Sequence, residues 1–207
     1  MNISYDWDEA VSWLCAADSR IAPHLCHRPK PPQADPEDLF SALLTPIVSQ
    51  QLSTRAAATI GQRLNALLPA QGRAAAYLKL GEAQVCGAGL SGAKYRALLD
   101  LAERVLNGQL PSLRACADLD DQALEACLVQ VRGVGPWTAQ MFLMFALGRP
   151  DVLPLGDLGV RKGLGVMLGA AEPFPSEVLQ AEAEAWRPYR SVVAWHCWRV
   201  LENQPKR

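Results

Sequence analysis

The 207-residue sequence has almost no net charge, because 20 lysine and arginine residues are balanced by 21 aspartate and glutamate residues. Nucleic-acid-binding domains usually carry a basic excess, so any interaction with nucleic acid must depend on local features. Long apolar runs are also missing. The longest, Met141 to Leu147, is far too short to span a bilayer, and we expect no membrane association.

Cysteine motifs for metal binding are absent as well. The six cysteines are scattered, and no two have the C-x-x-C spacing that zinc and iron–sulfur sites commonly use. The acidic N-terminal stretch MNISYDWDEA lacks the apolar segment of a signal peptide. We therefore expect reduced thiols in a cytoplasmic protein, with no zinc, no iron–sulfur cluster and no required cofactor.

Alternating β-branched patterns are lacking, so the sequence predicts an all-α fold of roughly eight to ten helices with short connections. A proline-rich segment, residues 23–38, is predicted to be an irregular crossing between two lobes. The expected helix starts are marked by capping residues or by proline in the first turn: Asp35–Pro36, Thr45–Pro46, Ser53, Ser91, Asp120 or Asp121, Pro136 and Ser176.

The stretch QVRGVGPWTAQMF, residues 130–142, interrupts helix-like sequence with Gly133-Val134-Gly135 and then begins a new helix at Pro136. Two glycines around one apolar residue predict a tight turn between helices with the valine in the core. The amides of these three residues precede a helix N-terminus, where a phosphate can bind without a basic side chain. A G-x-G turn alone is more often an ordinary helix–helix turn.

The longer segment LVQVRGVGPWTAQMFLMFALGRPDVLPLGDLGVRKG resembles the helix-hairpin-helix DNA glycosylases of base-excision repair. The segments PIVSQQLSTRAA, GLSGAKYRALLDLA and WRPYRSVVAWHCWR agree in the same order. The sequence is most similar to the DNA-3-methyladenine glycosylase II group, or AlkA-type alkylbase glycosylases, in a compact form without the N-terminal β-domain. The resemblance implies two helical lobes with an active-site cleft between them. Lobe A is predicted to comprise residues 1–35 and 165–207, and lobe B residues 36–164 with the hairpin at 123–147.

The resemblance assigns Asp157 as the catalytic carboxylate, which would stabilise positive charge on the sugar. Relatives that also cut the strand have a lysine where this chain has Trp137, so the resemblance implies a monofunctional enzyme. Trp137 and Trp198 align with tryptophans of the base pocket, where aromatic faces attract a cationic base. Core packing is the alternative for both. The remaining pocket candidates are weaker: Met141, Leu158 and Tyr189.

Contacts with DNA follow from the same resemblance. Gln51 or Leu52 is predicted to be the wedge that fills the gap left by a flipped base. The main-chain carbonyls of Val129, Val131 and Val134 are candidates for binding a monovalent cation, Na⁺ or K⁺. The predicted contacts with the DNA backbone are residues of the hairpin and several basic side chains: Gly133, Val134, Gly135, Thr138, Lys94, Arg161, Lys162 and Arg190.

The predicted function is therefore excision of alkylated bases, of the 3-methyladenine and 7-methylguanine type, from double-stranded DNA by a monomeric enzyme. Base flipping and hydrolysis of the N-glycosidic bond would leave an abasic site. Other lesions stay open, including 1-methyladenine, 3-methylcytosine and hypoxanthine. A non-catalytic helix-hairpin-helix DNA-binding module is the main alternative, but it would have no need of Asp157 or the two tryptophans. A helical protein with no DNA role is the third hypothesis.

Overall fold

The computed structural model describes residues 5–25, 30–31, 36 and 38–202. Every regular element within these residues is helical, which confirms the predicted all-α class. The α-helices are α1 Trp7–Ala17, α2 Ala22–Leu25, α3 Leu39–Ser49, α4 Thr54–Asn65, α5 Arg73–Tyr77, α6 Glu82–Gly87, α7 Gly92–Leu106, α8 Leu113–Asp118, α9 Asp121–Leu128, α10 Pro136–Phe145, α11 Leu158–Met167, α12 Ser176–Glu182 and α13 Arg190–Glu202. A 3₁₀ helix, Ala183–Trp186, precedes α13.

This described part of the chain contains more helices than the roughly eight to ten predicted, because several are very short. Helix α5 has 5 residues, while α6 and α8 have 6 each. A helix of fewer than two turns shows too little apolar periodicity to be recognised. No helix among the described residues is both long enough and apolar enough to cross a membrane.

Most of the predicted helix starts are confirmed. The side chains of Ser53, Ser91 and Asp120 each accept a hydrogen bond from the main-chain amide three residues further on, as N-caps do. Pro136 is the first residue of α10. These caps fix where the helices around the hairpin begin, and Asp120 starts the helix that precedes the Gly-Val-Gly turn.

Three predicted starts are wrong. Helix α3 is capped by Asp38, whose carboxylate accepts from the Ser41 amide, rather than by Asp35, which lies outside the described residues. Thr45 and Pro46 lie inside α3 and begin no new helix. Proline removes one helical hydrogen bond, but seven buried side chains on α3 hold the helix together past that point. Ser176 is the first residue of α12, and Pro175 is its N-cap.

The chain forms two compact units, Met1–Gln33 with Leu143–Arg207, and Ala34–Phe142. The predicted boundary at residues 164 and 165 therefore differs from the observed one, which falls within α10. The reason is the close packing of α11 on α13. A Cβ placed on Gly163 would lie 2.1 Å from the carbonyl oxygen of Cys197, so the two helix backbones approach too closely for any side chain.

In the first unit, the N-terminal helices are joined to the C-terminal part by a buried polar contact. The indole nitrogen of the fully buried Trp186 donates to the Asp18 carboxylate at 3.0 Å. Asp18 also pairs with Arg20, and this guanidinium, with a smaller effect from Trp186, lowers the pKa of the Asp18 carboxyl to about 2. The contact helps to fix the unit that carries Asp157.

Candidate functional site

The hairpin turn, residues 129–135, joins α9 to α10 in the second unit. Val129 is the C-cap of α9, and the Val134 amide donates to the Val131 carbonyl at 3.0 Å. The side chains of Val131 and Val134 are both buried. The two valines therefore anchor the turn in the core, as predicted. The first main-chain amides of α10 have no acceptor within their own helix, as at any helix N-terminus, so they can bind an anion.

The two glycines of the turn have different reasons to be glycine. Gly133 has a φ of +72°, and a Cβ there would lie 3.2 Å from the Cβ of Ala97. Gly135 has no positive φ, and a Cβ there would meet nothing within 4 Å. Of these two glycines, only Gly133 is required by the protein's own structure. Open space at Gly135 is what a closely approaching ligand such as a phosphate would occupy.

The side chain of Gln50 joins the segment after α3 to the hairpin turn. Its Nε2 donates to the Gly133 carbonyl and to the Thr138 hydroxyl, both at 2.9 Å. Thr138, a predicted DNA contact, is 2% exposed, so its side chain is enclosed by the protein. No sequence pattern indicates this role of Gln50, because a contact between residues more than 80 positions apart leaves no local signal.

The two predicted wedge residues are both exposed. Leu52 has 39% of its surface accessible, and Gln51 has a left-handed backbone with a φ of +54°. This exposure of Leu52 excludes a role in the core. Their role in base flipping stays a prediction.

The carboxylate of Asp157 is held at the N-terminus of α11. Its Oδ1 accepts from the Val160 amide at 2.9 Å, which makes Asp157 the N-cap, and from the indole nitrogen of Trp198 at 3.0 Å. The aspartate is partly exposed. The preceding loop is fixed by Ser191, whose hydroxyl donates to the Arg149 carbonyl and accepts from the Val152 amide. The N-cap role and a catalytic role are therefore compatible.

Trp198, on α13, lies beside the Asp157 carboxylate. Its ring packs against Phe145 with centroids 6.0 Å apart, and it is partly exposed. The neighbouring Cys197 is fully buried, and burial, with the charge of Asp157 adding to it, raises the pKa of its thiol. The thiol is thus protonated at neutral pH, and it is a core residue rather than a nucleophile.

The other pocket candidates have varied positions. Trp137 is the second residue of α10 and half-buried in the second unit, while Met141 on the same helix is buried. Leu158, directly after Asp157, is 51% exposed. Tyr189 packs against Tyr5 and Trp13, with ring centroids 5.8 and 5.7 Å apart, so the structure places it in an aromatic cluster of the first unit.

Most of the basic side chains predicted to contact phosphate have partners within the protein. Lys94 donates to the carbonyls of Val48 and Gln50, and burial lowers the pKa of its ammonium group. Arg161 donates to the Phe174 carbonyl at 2.6 Å. Arg190 makes three hydrogen bonds to Asp151. Lys162 is exposed on α11.

The predicted cation site consists of main-chain carbonyls in the hairpin turn. Carbonyl oxygens suit hard cations. The Val131 carbonyl already accepts one hydrogen bond, from Val134, and has a second lone pair for a cation. The carbonyls of Val129 and Val134 complete the predicted set, and the cation stays a prediction.

Side-chain metal sites are a separate matter. Within the described part of the chain, no three histidine, cysteine, aspartate or glutamate residues cluster as metal ligands do. None of the five described cysteines forms a disulfide bond, and the sixth, Cys26, lies outside the described residues.

The sequence and the fold of this chain are similar to those of known proteins. Residues 44–188 match the profile of the HhH-GPD superfamily base excision DNA repair proteins. A DNA-3-methyladenine glycosylase of Schizosaccharomyces pombe is 27% identical over 168 residues, which cover 78% of this chain and 72% of that protein. A putative DNA-3-methyladenine glycosylase of Bacillus subtilis is 33% identical over 104 residues, 50% of this chain but 36% of that protein.

The fold agrees with a solved structure, the 3-methyladenine DNA glycosylase of S. pombe in complex with abasic DNA. The TM-score is 0.84 at 25% identity, and the match covers 92% of this chain and 95% of that one. The family profile spans most of the sequence, including both the Gly-Val-Gly turn and Asp157. The chain therefore belongs to the HhH-GPD superfamily of base excision DNA repair proteins.

Proposed function

We propose that this protein is a monofunctional DNA glycosylase that excises alkylated bases from double-stranded DNA and acts as a monomer. The observation that carries the proposal is the Asp157 carboxylate, which is oriented at a helix N-terminus by Val160 and Trp198. The relatives named 3-methyladenine glycosylases support alkylated purines as the substrate class.

Cleavage of an N-glycosidic bond develops positive charge on the deoxyribose, as glycoside hydrolysis does. A fixed carboxylate close to C1′ stabilises that charge and orients the attacking water. The two hydrogen bonds to Oδ1 hold the Asp157 side chain before the substrate arrives, so no reorientation is needed during the reaction. Asp157 is the catalytic residue in this proposal.

An alkylated purine such as 3-methyladenine is already cationic, so it leaves without a strong general acid. Recognition then needs electron-rich surfaces rather than proton donors. Trp198, partly exposed beside Asp157, supplies such a surface, and cation–π attraction contributes up to about 2 kcal/mol at a desolvated site. The pocket role of Trp137 rests on the family resemblance alone. Exposed Leu158 extends the apolar surface beside Asp157.

The hairpin turn is proposed to bind a DNA phosphate through main-chain amides at the start of α10. This mode of binding explains how a protein with a net charge of −1 can act on a polyanion. The open space at Gly135 supports the proposal, since a phosphate needs close approach to the backbone. A monovalent cation at the carbonyls of the turn would add positive charge there.

The reaction would stop at the abasic site. Strand cleavage by relatives of the other type uses a lysine amine that forms an imine with the sugar. Trp137 stands at that position, and an indole cannot form an imine. The amine of Lys94 does not take this role in the proposal, because it donates to the carbonyls of Val48 and Gln50.

The proposal is tested by incubating the protein with methylated duplex DNA and analysing both products. We expect free 3-methyladenine or 7-methylguanine by chromatography, together with a DNA strand that breaks only after alkali. Binding of the duplex without release of any base would favour the non-catalytic binding module. Strand breaks without alkali would contradict the monofunctional mechanism.

A further inference from the structure

The side-chain amide of Gln50 donates two hydrogen bonds to the hairpin and the helix that follows it. A primary amide has two N–H donors, and Nε2 of Gln50 uses them on the Gly133 carbonyl and the Thr138 hydroxyl. These acceptors lie on either side of Gly135 in the sequence. The contact therefore spans the part of the hairpin that is proposed to bind phosphate.

The main chain at Gln50 is fixed independently by Lys94. Its Nζ donates to the carbonyls of Val48 and Gln50, at 2.8 and 2.7 Å, where α3 ends. A cation at a helix C-terminus satisfies carbonyls that lack helical partners and interacts favourably with the helix dipole. Lys94 thus stabilises the end of α3 and the residue that follows it.

The next residues form the wedge loop, residues 50–53. Gln51 has a φ of +54°, a conformation that costs a non-glycine residue roughly 1 kcal/mol and persists only when its surroundings hold it. Ser53 fixes the other end of the loop as the N-cap of α4. Between these fixed points, the side chains of Gln51 and Leu52 are exposed.

We propose that Gln50 and Lys94 are positioning residues that hold the wedge loop at a fixed place relative to the hairpin turn, so that binding of a phosphate aligns the wedge with the base to be displaced. This inference rests on the proposed glycosylase function. It assigns Lys94 to the wedge loop instead of to DNA. It also predicts that loss of Gln50 impairs base displacement more than bond cleavage.

The test uses Gln50→Met, which keeps the volume of the side chain and removes both donors. Gln62→Met, on the exposed face of α4, is the matched control. Single-turnover base release is measured on duplexes with one 7-methylguanine, either paired with cytosine or opposite a tetrahydrofuran site. Displacement is less costly for the unpaired base. Fluorescence of 2-aminopurine beside the lesion measures unstacking without any bond cleavage.

We expect Gln50→Met to slow release from the paired duplex on the order of 10- to 100-fold and to have a much smaller effect on the unpaired one. The 2-aminopurine signal at saturating protein should fall as well, while the control behaves as wild type. Equal slowing on both duplexes, or no slowing on either, would overturn the proposal.

Failure of the proposed function is recognised separately, because wild type would then release no base from either duplex. The fluorescence comparison still decides the positioning role in that case, and an unchanged signal in Gln50→Met would overturn it. If Gln50→Met does not fold, Lys94→Met removes the second contact that holds the wedge loop. It should also slow base release from the paired duplex much more than from the unpaired one.

Discussion

The indole nitrogen of Trp198 donates a hydrogen bond to Oδ1 of Asp157 at 3.0 Å, between the last helix and the start of α11. The same oxygen accepts from the Val160 amide, so two donors from different parts of the first unit set the direction of the carboxylate. Trp198, a predicted residue of the base pocket, is therefore also a positioning residue for the proposed catalytic group.

Trp198→Phe should separate these two roles. Phenylalanine keeps an aromatic face for a cationic base but has no N–H for Asp157. Hydrogen bonds to charged groups contribute about 1.5–3 kcal/mol, so we expect single-turnover base release to fall about 10- to 100-fold while DNA affinity is retained. Trp13→Phe, in the aromatic cluster with Tyr189, is the control. Release at the wild-type rate would show that the hydrogen bond has no part in catalysis.

Gly159→Ala should disturb the hydrogen bond between Trp198 and Asp157 by steric clash with both side chains. A Cβ there would lie 2.8 Å from Cδ1 of Trp198 and 2.9 Å from Oδ1 of Asp157, closer than real contacts allow. We expect a clear loss of base release with a modest fall in Tm. Gly156→Ala is the matched control, because a Cβ at that position meets nothing within 4 Å. Equal activity of the two variants would contradict the described geometry.

The two glycines of the hairpin turn should respond differently to alanine. At Gly133 the φ of +72° makes alanine strained by roughly 1–2 kcal/mol, so the Tm of Gly133→Ala should fall. Gly135→Ala should keep the wild-type Tm but bind duplex DNA more weakly, because the new methyl group occupies the space proposed for phosphate. Thermal melting and equilibrium DNA binding measure the two effects. Unchanged affinity of Gly135→Ala would argue against phosphate binding at the turn.

Lys94 and Lys162 should differ in how they affect the salt dependence of binding. A side chain that contacts phosphate contributes about one unit to the slope of log affinity against log salt. Lys94→Met should leave that slope unchanged, since its ammonium is bonded to the carbonyls of Val48 and Gln50. Lys162→Met, at an exposed position, should reduce it by about one unit. A reduced slope for Lys94→Met would restore Lys94 as a DNA contact.

The fold class, the Gly-Val-Gly turn and the starts of α4, α7, α9 and α10 could be predicted because their signals are local. An N-cap such as Ser53 or Ser91 acts within three residues, and glycine at position 133 reflects its own backbone angle. Aspartate at position 157 could be identified because it follows the hairpin at a spacing typical of the family. The structure shows that the same residue is also the N-cap of α11.

The rest could not be predicted because it depends on contacts between distant residues. Nothing near Lys94 in the sequence indicates that its ammonium caps a helix that ends at Ser49. The pairing of Gln50 with the hairpin and of Asp151 with Arg190 likewise joins residues far apart along the chain. Pro46 lies inside α3 and does not begin a helix, since burial of its neighbours overrides the local preference of proline.

The central claim is that the charge of Asp157 drives bond cleavage, and Asp157→Asn in methylated duplex DNA tests it most directly. Asparagine is nearly isosteric, caps helices equally well and still accepts from Trp198, so only the negative charge is lost. Asp118→Asn, at an exposed position on α8, makes the same change in net charge and is the matched control. We predict that Asp157→Asn binds the duplex as wild type does but releases base at least about 100-fold more slowly, while Asp118→Asn is fully active. Equal release by wild type and Asp157→Asn would contradict the claim.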